Sequence, residues 1–132
     1  MIESSEIRIL LVDDDKFLLD MYAMKFVQHG YTVHSCLSAD DALKTLRDGF
    51  VPDVVLFDIT MPGQDGFAFL HALQEEHLAD KAIKIALTNQ NTEAEKAKAE
   101  ELGASQYLIK ATLIPSEVVN TIAAALAKKG SA

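Results

Sequence analysis

Compact apolar runs alternate along this chain with longer stretches in which apolar residues recur at helical spacing. Ile7 to Val12 is apolar apart from Arg8, and about fifteen residues follow from Lys16 with Phe17, Leu18, Met21, Met24 and Phe26 in a helical spread. That order predicts a strand and then a helix, closed by Gly30. Tyr31 to Cys36 is β-branched and aromatic and reads as a second strand. Ser38-Ala39-Asp40-Asp41 opens a second helix with Ala42, Leu43 and Leu46 turned inward and Gly49 just past its end. After Pro52, the continuous apolar run Val54 to Phe57 suits a strand covered on both faces. Met61 to Gly66 is a loop, and Phe67 to His77 carries a third helix.

Length alone does not separate Ile83 to Leu87 from a helix fragment, but the alternating context assigns it as the fourth strand. Thr92-Glu93-Ala94-Glu95 forms a capping box, in which Thr92 accepts from the first helical turn and Glu95 reaches back. This fourth helix ends at Leu102-Gly103, and Ser105 to Ile109 is the fifth strand. Pro115 fits the first position of a fifth helix that runs to Lys128-Lys129, where cations face the negative end of the macrodipole. Ile114 is a poor N-cap, so that helix is expected to fray at its start. Phe17, Phe57, Phe67 and Phe69 are expected in the core, with Cys36 as a small buried hydrophobe. Residues 1–6 and 130–132 are expected to be loose ends around one domain spanning 7–129.

Five strands alternating with five helices imply an α/β fold, a parallel sheet covered by helices on both faces. Such sheets bind ligands outside the carboxyl ends of their strands, where the strand order reverses. The polar residues that interrupt the apolar pattern stand at those ends: Asp13 and Asp14 after the first strand, Asp58 after the third, Thr88 after the fourth and Lys110 after the fifth. Asp15 reads as the cap of the first helix.

With 132 residues, the chain fits a single core and leaves no room for a second domain. A net charge of -8 argues against nucleic-acid binding, which needs clustered Lys and Arg. One cysteine excludes an intrachain disulfide; neither a secretory leader nor 18 consecutive apolar residues occurs, which points to the cytoplasm and away from a membrane. His29, His34, His71 and His77 lack zinc-site spacing.

Three carboxylates crowded at one rim repel one another unless a cation holds them ionised. An oxygen-only donor set suits a hard ion, so Mg²⁺ is the natural cofactor, with Asp14 and Asp58 as direct ligands and Asp13 acting through water. Three Asp, one Lys and one Mg²⁺ then sum to near neutrality. An ionised Asp58 beside such an ion is a plausible nucleophile for a phosphoryl group, whose equatorial oxygens Lys110 helps to neutralise. Thr88 offers a hydroxyl that would bond one phosphoryl oxygen after transfer and report it to the following loop.

These residues resemble the receiver domain of two-component response regulators, over essentially the whole length from Ile7 to about Lys128. The resemblance rests on Leu11-Val12-Asp13-Asp14, on Asp58-Ile59-Thr60-Met61-Pro62-Gly63, on Thr88, Lys110 and the aromatic Tyr107. It implies a flavodoxin-like three-layer sandwich with strand order 2-1-3-4-5, and Asp58 as acceptor in a phosphorelay with a sensor histidine kinase or phosphotransfer protein. It further implies that the Thr60 backbone carbonyl completes the metal site, that Tyr107 changes rotamer with Thr88, and that the fourth helix, fifth strand and fifth helix form the output surface. The expected protein is a stand-alone receiver without an output domain, a monomer or weak dimer that transforms no external metabolite and acts on an unknown downstream protein. Two departures stand out. Ala111 follows Lys110 where the family usually has proline, and Asn89 follows Thr88 where a small residue is usual, which would narrow access to Asp58. Thr60 and Gln90, with Asn89, are candidates for setting the lifetime of the phosphoryl group by orienting a hydrolytic water.

Other readings are a receiver-like adaptor independent of phosphorylation, kept open by Ala111 and Asn89, and an aspartyl-nucleophile phosphatase. The phosphatase pattern Asp-x-Asp-x-Thr lacks its second acid here, since Thr60 stands in its place. A nucleotide-binding module would need a glycine-rich phosphate loop, which the chain lacks.

Overall fold

The computed structural model describes residues 7–89, 92–110 and 115–131, with backbone only for residue 115 and residues 129–131. Strands β1 (Arg8–Val12), β2 (Thr32–Cys36), β3 (Val54–Asp58), β4 (Ile83–Thr88) and β5 (Gln106–Ile109) alternate with helices α1 (Lys16–Gln28), α2 (Ala39–Arg47), α3 (Gly66–Glu76), α4 (Glu93–Glu101) and α5 (Pro115–Ser131). All strand pairs are parallel, and the sheet order is β2-β1-β3-β4-β5. This is the flavodoxin-like sandwich expected from the chain pattern and the family resemblance.

The two faces of the sheet are filled by alternate residues of the same strands, as the pleat requires. Ile9, Leu11, Val54, Leu56, Ile85 and Leu87 pack with Leu19, Tyr22 and Phe26 of α1 and Val118 and Ile122 of α5. Leu10, Val12, Val55, Phe57 and Ala86 face the other way, against Leu43 and Leu46 of α2, Phe69, Leu70 and Leu73 of α3 and Ala99 of α4. Every residue of the central strand β3 is therefore buried, Asp58 included. Cys36 is buried as expected.

Helix α1 corrects part of the sequence reading. Phe17 is 74% exposed and Met24 is exposed too, because the face that meets the sheet carries Leu19, Tyr22 and Phe26 at spacings of three and four. Apolar residues occur on more than one face of α1, so helical spacing alone did not single out the inward one. Phe57 and Phe69 are fully buried and in tilted ring contact at 5.7 Å, whereas Phe67 is half-buried beneath the Lys98 ammonium, 4.6 Å from its ring centre. Helix α5 continues through Ser131, beyond the end expected at Lys129. The expected loose segment 1–6 and the cap at Ile114 lie outside the described residues.

Candidate functional site

The order of the central strands places the ends of β1 and β3 side by side, with Val12 paired to Phe57, so the residues that follow each strand meet at one rim. Asp13 is 4% exposed and Asp58 6%, while Asp14 is open to solvent. One oxygen from each of the three carboxylates lies within 4.8 Å of the others. The Lys110 ammonium, delivered by the end of β5, donates to Asp13 Oδ2 at 2.7 Å and lies 3.2 Å from Asp58 Oδ2. Residue 111 lies outside the described residues, yet Lys110 reaches both carboxylates with alanine behind it.

Local turns hold these groups in place. Asp13 Oδ1 accepts the Asp15 N–H at 2.9 Å, and Asp15 caps α1 by accepting from the Phe17 and Leu18 amides. Asp58 Oδ1 accepts the Thr60 N–H at 3.2 Å. The amide of Gly66, at the start of α3, donates to the Ile59 carbonyl at 2.7 Å. A side chain at Gly66 would meet the Asp58 carbonyl oxygen and Ile59 Cα at 2.7 Å, so only glycine lets α3 come this close to the acidic strand end.

Burial, reinforced by the Asp13 charge, pushes the Asp58 carboxyl up to about 6, although Lys110 and the Thr60 amide pull it down. Burial alone would lower the Lys110 ammonium; its hydrogen bond to Asp13 and the nearby charges of Asp58 and Asp13 lift it above its ordinary value instead. The pocket thus carries more negative charge than one lysine balances. Its three carboxylates are the oxygen donors a divalent metal ion takes, and a cavity of about 400 Å³ bounded by Asp13, Asp14, Asp15, Leu18, Asp58, Thr60, Asn89 and Lys110 leaves room above them.

A family model described as the response regulator receiver domain matches residues 9–123. The chain belongs to the response regulator receiver family. Such an acidic pocket is typical of a phosphoacceptor site. Among solved structures, a CheY-like receiver domain protein from Methanospirillum hungatei JF-1 is 26% identical, with a TM-score of 0.85 over 95% of this chain and 97% of that one. A response regulator from Chloroflexus aurantiacus J-10-fl is 29% identical, with a TM-score of 0.81 over 92% and 98%. The BeF3-activated DrrB receiver domain is 26% identical, with a TM-score of 0.78 over 91% and 97%.

The receiver brings Asp13, Asp14, Asp58, Thr60, Asn89 and Lys110 around one cavity. Thr88 and Tyr107 are placed differently. Thr88 is completely buried at the end of β4, and its hydroxyl donates to Glu95 Oε1 at 3.4 Å. Tyr107 on β5 donates to the same Glu95 oxygen at 2.6 Å. Gln90 lies outside the described residues. Sequence reasoning assigned Glu95 to the capping box. Thr92 does accept the Glu95 amide at 3.2 Å, but the Glu95 carboxylate turns inward to the two hydroxyls. The available signal was Ala99, four residues on, which marks the same helix face as the inward one. Leu18 on the cavity wall was read only as part of the helical spread.

Proposed function

We propose that the protein is a phosphoacceptor in a two-component relay, taking a phosphoryl group on Asp58 from a sensor histidine kinase or phosphotransfer protein. The observation that carries this reading is a nine-tenths-buried Asp58 carboxylate opening on a cavity, with the Lys110 ammonium 3.2 Å from its outer oxygen. An Asp58 oxygen attacks the phosphorus of a phosphohistidine, the P–N bond breaks, and the imidazole departs with the electron pair and is then protonated. Lys110 stays within reach of the acceptor and offsets charge on the phosphoryl oxygens. Asp14 and Asp58 would hold Mg²⁺ directly, with the Thr60 carbonyl, while Asp13, whose two oxygens already accept from Asp15 and Lys110, would act through water. When bound, that ion offsets phosphoryl charge and sets the acceptor's orientation.

Asn89 and Thr60, on the cavity wall, regulate how water reaches the aspartyl phosphate, and so its lifetime. No external metabolite is transformed. The output face is α4, β5 and α5, read by a downstream protein in the cytoplasm; seven of the nine residues of α4 are exposed, most of them charged, and are open to such a contact.

Incubation with Mg²⁺ and acetyl phosphate should add the mass of one phosphoryl group to the intact protein, and Asp58→Asn should abolish the gain. No gain with any small phosphodonor or phosphohistidine donor would overturn the reading in favour of a phosphorylation-independent adaptor.

A further inference from the structure

Helix α4 is charged and solvated, and between Thr92 and Glu100 only Glu95 and Ala99 are drawn in from solvent. A carboxylate turned toward a sheet needs donors, and Glu95 takes both of its side-chain donors on one oxygen: the Tyr107 hydroxyl at 2.6 Å and the Thr88 hydroxyl at 3.4 Å. The first is a short, charge-assisted bond; the second is long. Thr88 stands one residue beyond Leu87, the register partner of Asp58 across the β3–β4 ladder. A threonine hydroxyl has one proton and cannot donate at once to Glu95 and to an oxygen on the Asp58 side.

We propose that Glu95 is a resting-state latch: its carboxylate competes with the phosphoryl group for the Thr88 proton and holds Tyr107 in its resting position. The inference rests on Asp58 as phosphoacceptor and adds a positioning residue on α4 that opposes the response. When a phosphoryl oxygen takes the Thr88 proton, the Glu95 oxygen loses one of its two donors. Tyr107 keeps its bond to Glu95, so β5 and the first turn of α4 together lose their tie to the end of β4 and can shift relative to it. Because the latch favours the unphosphorylated arrangement, part of the phosphoryl group's interaction energy is spent opening it, and removing the latch returns that part as affinity.

The test uses the whole chain, ¹³C-labelled on tyrosine rings, with Tyr107→Phe assigning one signal among the three tyrosines. Beryllium fluoride with Mg²⁺ serves as the phosphoryl probe. Wild-type protein should show a saturable displacement of the Tyr107 signal. In Glu95→Ala the unliganded signal should already lie part-way along that displacement, and half-saturation should occur at about fivefold lower probe concentration, the scale of one weak bond to a charged acceptor. Glu95→Gln keeps the shape and one acceptor oxygen, guards against a folding defect, and should fall between the two. A wild-type Tyr107 signal in both variants, or half-saturation unchanged or raised, overturns the latch while the phosphoacceptor stands. A wild-type protein that neither responds to the probe nor gains mass from acetyl phosphate overturns both.

Discussion

Asp58 is held in conflict: its place at the buried end of β3 and the Asp13 charge favour the neutral acid, while Lys110 and the Thr60 amide favour the anion. The net result, a carboxyl near 6 against 3.8 in the open chain, has a calculable consequence for stability. An acid whose folded pKa is raised holds its proton more tightly in the native state, so that advantage is complete below about pH 4 and is lost as pH climbs through 6. In metal-free buffer the receiver should therefore be less stable at pH 7.5 than at pH 5, by about 1.4 kcal/mol from this group. Asp58→Asn should recover about that amount at pH 7.5 and flatten the profile, read as the urea midpoint; an unchanged profile would remove Asp58 as its source. The Asp58 carboxylate is kept at a cost to the fold. At this scale Asp13, Asp14, Asp58 and Lys110 were legible because parallel strands must deliver their carboxyl ends to one rim. Glu95 was not, because its role in a capping box already accounted for it.

At the scale of elements, α3 has the tightest coupling to the site. Its first residue, Gly66, lies where a Cβ would press on the Asp58 carbonyl and the Ile59 backbone, atoms that cannot yield without moving the end of β3. Gly66→Ala should cost about 2 kcal/mol in urea unfolding, and should slow phosphoryl uptake from acetyl phosphate by displacing Asp58 relative to Lys110. Uptake at the wild-type rate in a destabilised variant would confine Gly66 to packing. Strand positions and the parallel order followed from short apolar runs separated by capped helices. The inward face of α1 did not, since Phe17, Met24 and Val27 lie exposed on a helix whose buried set is Leu19, Tyr22 and Phe26. Amphipathic contrast is what makes a helix face readable, and α1 has little.

For the whole molecule the net charge is -8, and the rim where three carboxylates converge on one lysine holds an unbalanced share of it. A divalent ion that binds the folded site and not the unfolded chain must stabilise the fold by mass action. Mg²⁺ at ten times its dissociation constant should add about 1.4 kcal/mol, and Asp14→Ala should abolish the gain. A melting temperature indifferent to Mg²⁺ in the wild type would leave the acidic rim without its metal. Among the described residues, no helix is long and apolar enough to cross a membrane.

The ion pair between Asp13 and Lys110 joins residues 97 positions apart. During synthesis the acidic loop after β1 and Asp58 of β3 emerge long before the lysine that balances them. A nascent or truncated chain ending ahead of β5 has its carboxylates and no counter-charge, and contacts of such long range form late because loop closure is paid first. On the proposed function, competence to accept a phosphoryl group is thus tied to completion of the sheet, and a half-made receiver would stay silent to its donor.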